Sequence, residues 1–444
     1  MNSTMRLQTL RPLLSVFALL PLLTNRALAE SILFKNAIVH TVSGETLSPG
    51  DVLVKEDKIV SVGADLSAPD ARIVDLKSQH LYPGLILMDS ALGLSEIEAI
   101  RATQDTTEVG EFKPDVQSWI AVNPDSELIP VTRANGITHA EPAPQGGLIA
   151  GQSGVVALDG WTVKQMTIKA PVALHVYWPT MDLVITPRRR GRAPAKAESI
   201  EEQNKQRQVQ IKALDDFFQE ARAYAKGRDA EVKGDAAASS GLNPPYEAML
   251  PVIRGEIPIM VHADDVRQIK SALEWAQTNQ FKLILVGGRD ASLVADLLAI
   301  QKVPVVFESM FATPRRGEDS YDINFKAPEV LRKAGVTVAF SMGPGSMQVT
   351  MARNLPYEAA QAIAFGLPEP DALKAITLVP AQLLGVADRL GSIEPGKEAS
   401  LFVSDGDIFD IRSHVKQMWI AGKPVNLESR HTRLYEKYKN RPAN

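Results

Sequence analysis

The chain has 444 residues, with 48 Lys and Arg set against 52 Asp and Glu, a formal charge of −4. So balanced a surface exerts no global pull on nucleic acid or on anionic membrane. The sequence holds no cysteine, which excludes disulfides, thiolate catalysis and zinc–thiolate sites together. Residues 1–29 carry Arg6 and Arg11, an apolar run from Leu13 to Leu23, and Ala27-Leu28-Ala29 before Glu30. That is the pattern of a cleavable secretory signal, with an apolar core too short to span a bilayer comfortably. The expectation is a chain that matures at Glu30, is periplasmic or secreted, and has no membrane span. A cysteine-free chain suits that oxidising compartment.

Residues 34–84 read as short alternating strands with turns at Ser43-Gly44 and Glu56-Asp57. Beyond them, apolar runs of strand length alternate with helical patterns, the signature of parallel βα units. The candidate strands are Leu85–Met88, Gly136–Glu141, Gly154–Leu158, Val172–Trp178, Ile257–Ala263, Phe281–Val286, Val303–Glu308 and Val336–Phe340. Eight is the number that a closed barrel needs. The third, inside "QGGLIAGQSGVVALDG", also fits a surface hairpin. In that stretch Gly146, Gly147, Gly151 and Gly154, with Gln152 and Ser153, fit either a backbone nest that binds a ligand or tight turns alone. Thr186 to Pro245 breaks the rhythm. Its middle, Glu201 to Lys226, predicts a helix with apolar positions at Val209, Leu214, Phe217 and Phe218, flanked by loop and by an arginine cluster at 188–192. An insertion after strand four of a barrel is placed to act as a lid.

The strand "PGLILMDSA" at 83–91 resembles the first barrel strand of the amidohydrolase superfamily. There it runs Pro-Gly-Leu-Ile-Asp-x-His-x-His, and the two histidines face one way and share a metal ion. The segment before it and "ALKAITLVPAQLLGVADRLGSIEPGKEASLFVSDGDIFD" near the end are similar to the superfamily's approach and exit segments. The resemblance implies an α/β fold: a TIM-like (β/α)8 barrel over 83–385 with an insertion at 186–245. It also implies a small composite β-sandwich domain from 30–82 and 386–427.

The resemblance also implies where ligands belong. Members of the imidazolonepropionase-like branch add a His ending strand five, a His ending strand six and an Asp ending strand eight. Here Asp89 and Ala91 replace the two strand-one histidines, "IPIMVHADD" keeps His262, "KLILVGGRD" offers Gly287 and "VTVAFSMGPG" offers Gly343. A catalytic zinc needs about three protein ligands plus water, so the expectation is no metal at the familiar positions. The implied activity is hydrolysis of non-peptide carbon–nitrogen bonds, of the cyclic-amide type. His262 would serve as acid or base with Asp89 or Asp264, and Gly146, Gly147, Gln152, Ser153, His175 and Glu308 are the candidate substrate-binding residues. Two further readings stay open. Asp89, His175 and His262 form a relocated or weak divalent-metal site if all three point inward, whereas a His between Leu174 and Val176 is more often a hydrogen-bonded core residue. The other is a non-catalytic, ligand-binding or scaffold pseudo-hydrolase. The partner expected is a small molecule, in a monomer or a homo-oligomer, without nucleic acid.

Overall fold

The computed structural model describes residues 31–183, 198–233 and 241–442. The segment expected to be a secretory signal and the arginine cluster at 188–192 lie outside the described residues. No described helix is long and apolar enough to cross a membrane.

Two eight-stranded sheets organise the chain. The first takes strands from both ends of the sequence. It contains β1 (Ser31–Val39), β2 (Leu47–Lys55), β3 (Lys58–Gly63), β4 (Arg72–Asp75) and β5 (His80–Pro83). They are joined by β14 (Leu401–Ser404), β15 (Val415–Ile420) and β16 (Lys423–Pro424). The seam between the two ends is the antiparallel pairing of β5 with β14, in which Leu81 faces Val403. Ile32, Phe34, Val52, Val54, Leu401 and Trp419 fill its core.

The second sheet runs in chain order from β6 to β13 and curls into a nearly closed barrel. Its strands are β6 (Leu85–Ser90), β7 (Ile137–Pro142), β8 (Ile149–Ala157), β9 (Thr167–Tyr177), β10 (Ile259–Ala263), β11 (Leu283–Gly287), β12 (Val305–Phe307) and β13 (Val338–Phe340). All eight expected strands are present, but the expectation of parallel units fails at the third. β8 pairs antiparallel with both β7 and β9, while the other ladders are parallel. A strand buried on both faces has the same apolar signature in either direction. Between β13 and β6, where no ladder is formed, the Ser341 hydroxyl donates to the carbonyl of Met88 at 2.7 Å.

Alternation within the strands sorts the barrel. Ile86, Met88, Ala173, Met260, Ile284, Val286, Val306 and Ala339 pack together as the interior. Leu85, Leu87, Leu174, Val176, Val261, Leu285 and Phe307 belong to the larger core that also takes in the helices. The insertion contains the helix Ile200–Val232, opened by a capping box of Ser199 and Glu202. It buries Leu214, Phe218, Ala221 and Ala225, a stripe at helical spacing. Val209, expected on that face, is exposed. Phe217 is only partly buried, and its ring stacks on Phe112 at 4.9 Å, tying the insertion to the long segment that follows β6.

Candidate active site

The period of two that fills the barrel interior also delivers the site. Four polar residues each follow an interior apolar residue by two positions: Ala173 precedes His175, Met260 His262, Val306 Glu308 and Ala339 Ser341. They therefore form one layer at the barrel end where β9 to β13 terminate. On β6 the same count reaches Ser90. Asp89 enters instead because its φ is +44°, a left-handed conformation uncommon for a side-chain-bearing residue. The β6–β7 register slips over this stretch.

Three donor atoms converge there. His175 Nδ1 lies 3.0 Å from His262 Nε2 and 3.7 Å from Asp89 Oδ1, and His262 Nε2 lies 3.8 Å from the same oxygen. Asp89 and His175 are wholly buried, whereas 10% of the His262 side chain is exposed. Neither carboxylate oxygen of Asp89 has a hydrogen-bonding partner by geometry, an unusual state for a buried group. Burial pushes the Asp89 carboxyl up and holds the His262 imidazole well below its ordinary value, with His175 adding to the effect. His262 is therefore a neutral ring whose nitrogen can donate a lone pair.

A second circle of residues fixes the rings. Glu141 Oε1 lies 3.3 Å from His175 Nε2 and accepts the Ser153 hydroxyl at 2.6 Å. Glu141 Oε2 accepts the backbone N–H of Asp89 at 3.2 Å. A carboxylate this close to Nε2 favours a proton there, although the pair lacks hydrogen-bond geometry, and Nδ1 faces Asp89 and His262. The Tyr177 ring stacks on His262 at 4.0 Å, and its hydroxyl donates to the carbonyl of Pro144 at 3.3 Å. Burial, then the charges of Asp89 and Glu308, push that phenol well up, so it stays protonated.

These residues fit a divalent metal. Three atoms separated by 3.0, 3.7 and 3.8 Å share a point about 2.0 Å from each, the length of a zinc bond to His nitrogen or carboxylate oxygen. Two imidazoles and a carboxylate are a common donor set for first-row metals, and a carboxylate behind a metal-binding His is the usual support.

The other expected site residues go elsewhere. Asp264 Oδ1 accepts the backbone N–H of Arg289 at 3.3 Å, so it shapes the turn after β11 rather than joining the three. Gln152 donates its side-chain amide to the carbonyl of Ala248 at 2.5 Å, and Ser153 serves Glu141. Gly146 and Gly147 have φ of +79° and +71°, and a Cβ on Gly147 would lie 2.7 Å from the carbonyl oxygen of Gly110. The space at these glycines is thus taken by the segment that crosses the barrel mouth. Glu308 is partly exposed and, alone among these, lies beside Asp89, whose charge helps to push its carboxyl up after burial. Sequence reasoning passed over Glu141. Its only signal was a charged residue at the end of the apolar run before Pro142.

The profile of the Amidohydrolase family matches residues 305–427. The amidohydrolase tasK of Hapsidospora irregularis is 24% identical over 428 residues, covering 86% of this chain but 41% of that protein. The chain thus spans less than half the length of that relative. The solved structure of an amidohydrolase from Thermotoga maritima MSB8 superposes with a TM-score of 0.76 and 28% identity, over 89% of this chain and 99% of that one. A Xaa-Pro dipeptidase with bound methionine, 15% identical with a TM-score of 0.51 over 89% of this chain and 100% of its own, shares the fold.

Proposed function

We propose, from the premise that the chain is a member of the amidohydrolase superfamily, that it hydrolyses a non-peptide carbon–nitrogen bond of the cyclic-amide type at a centre formed by Asp89, His175 and His262. The observation that carries this reading is the shared point about 2.0 Å from three donor atoms, a metal–ligand distance. A divalent ion held there would supply Lewis acidity toward a substrate carbonyl and toward water. The protein's own part is preparation. Glu141 fixes the His175 tautomer, Tyr177 holds the His262 ring by stacking, and the left-handed turn at Asp89 brings its carboxylate inward. His262, the one of the three whose side chain is not wholly buried, is the imidazole that a substrate would meet. Ring opening by water then leaves a carboxylic acid and an amine, and the amine nitrogen must gain a proton.

The test is metal uptake by chelator-stripped protein, followed by calorimetry with zinc and manganese and a turnover screen over cyclic amides. One ion per chain is expected, together with loss of binding in Asp89→Asn and His175→Phe and turnover that follows metal content. A folded wild-type protein that takes up no divalent ion at millimolar concentration would overturn the metal reading. If it also turned over nothing in the screen, the ligand-binding alternative would stand in its place.

A further inference from the structure

We infer that the cavity bounded by the helix Leu128–Arg133, strand β15 and the helix Arg430–Lys439 is a binding site for a small carboxylate carried on an apolar body, with Arg353 as its charge partner. The site is separate from the centre on Asp89, and the inference does not rest on the metal reading.

Size and lining come first. The cavity holds about 760 Å³, within the range of about 300–1,000 Å³ that small-molecule sites occupy. Val131, Phe311, Ile411, Val415 and Leu427 give it apolar wall from stretches far apart in the sequence. Phe311 and Ile411 are exposed, so an apolar body seated there would take wet apolar surface out of water.

Charge selects the other end of the ligand. No acidic residue lines the cavity, although acidic residues outnumber basic ones in the chain, 52 to 48. Its basic side chains are Arg353, His414 and Lys416. Asp405 answers two of them, with Oδ2 2.8 Å from Lys416 Nζ and 3.5 Å from His414 Nδ1. Arg353 pairs with no carboxylate among the described residues, and its Nη1 lies 3.3 Å from His431 Nδ1. A guanidinium has five N–H donors in one plane, so a single contact leaves a fork that fits both oxygens of a carboxylate. One uncompensated charge suits a monoanion better than a phosphate dianion.

The backbone that carries Arg353 is fixed. Its carbonyl accepts Asn135 Nδ2 at 2.5 Å, and Asn135 Oδ1 accepts the Tyr357 hydroxyl at 3.5 Å. The wall supplied by the C-terminal segment is less committed. The helix Arg430–Lys439 buries none of its residues and meets the rest of the chain through Arg433 on Glu127 at 3.2 Å and the Arg353–His431 contact. A ligand in the cavity would bridge Phe311 to Leu427, at the entry to that helix.

The experiment is calorimetric titration of the chelator-stripped full chain with phenylbutyrate and hexanoate, each beside its alcohol, and with acetate. At least one of the two acids is expected to bind saturably at millimolar concentration or below, with its alcohol and acetate about tenfold weaker or more. Arg353→Gln keeps the length and removes the charge. It should weaken the acid by about tenfold or more and leave the alcohol unchanged, whereas Phe311→Ala should weaken both. Asp89→Asn should bind the acid as the wild type does, and the amides of residues 427–439 should exchange more slowly with the acid bound. Failure of the wild type to bind either acid at millimolar concentration would overturn the inference, as would equal affinity for acid and alcohol, a comparison that needs no variant. Affinity of Arg353→Gln within threefold of wild type would also overturn it. Binding lost in Asp89→Asn but kept in Arg353→Gln would assign the acid to the barrel centre instead and end the claim for this cavity.

Discussion

Glu141 touches no substrate, yet the geometry makes it the residue on which the orientation of His175 depends, and replacing it by glutamine tests that. The carboxylate accepts the Ser153 hydroxyl at 2.6 Å and the Asp89 N–H at 3.2 Å, and its Oε1 lies 3.3 Å from His175 Nε2 without the geometry of a hydrogen bond. A glutamine offers one carbonyl oxygen and one NH2, so one side of it meets donors with a donor. If the NH2 faces Asp89, the buried backbone N–H there loses its acceptor, at about 1–3 kcal/mol. If it faces His175, the ring is no longer held with its proton on Nε2, and Nδ1 becomes protonated part of the time. Loss of such outer support lowers metal affinity by about 10- to 100-fold, or roughly 1.4–2.7 kcal/mol. The assay is zinc titration of stripped Glu141→Gln alongside thermal melts with and without metal. The two effects separate, because the metal-free melt reports the lost hydrogen bond and the titration reports the ring. Unchanged affinity together with an unchanged melt would refute the role given to Glu141.

Three other outcomes follow from the same coordinates. Glu358, buried in the helix Leu355–Ala364 with Oε2 unpartnered, has its carboxyl pushed well up by burial. Its stabilising contribution is therefore complete below the ordinary glutamate value of 4.5 and is lost as pH rises through the folded value. Glu358→Gln should gain on the wild type with rising pH by up to about 1.4 kcal/mol per unit, and parallel urea-midpoint profiles for the two would contradict this. Gly147→Ala sets a methyl 2.7 Å from the carbonyl oxygen of Gly110 at a φ of +71°. It should cost about 2–4 kcal/mol in denaturant melts, and a loss under 1 kcal/mol would mean that the mouth segment moves aside freely. If residues 1–29 are an export signal, N-terminal sequencing of the soluble exported protein reads Glu30 first, whereas Met1 on abundant soluble cytoplasmic protein would refute it.

The barrel was legible because each strand is an apolar run bounded by turns, and burial on both faces demands that composition. The direction of β8 was not, since pairing sense is decided by which carbonyls and amides meet across the ladder. The site was legible only in part. Looking for histidines at the superfamily's positions finds His262 and three vacancies, and makes the centre look dismantled. The proposed centre draws on other strands as well. His175 and Glu308 are polar residues at inward positions of apolar strands, where a side chain needs a partner to justify its burial. Convergence, however, depends on the stagger between strands, which no single strand encodes. Asp89 is harder still: strand periodicity points it out of the barrel, and only its left-handed backbone turns it in.

The sheet shared by the two chain ends also sets the order in which the molecule can be made. Tyr82 meets Ile408 across 326 residues of sequence, and β5 gains its β14 neighbour only when Leu401–Ser404 has been synthesised. Until then the strand that leads into the barrel has one open edge, a surface prone to wrong pairing. Closing a contact so distant in the chain is entropically late. The sheet seam can therefore form only after the whole barrel sequence has been made, and a chain truncated before β14 would leave the β5 edge exposed however complete its barrel.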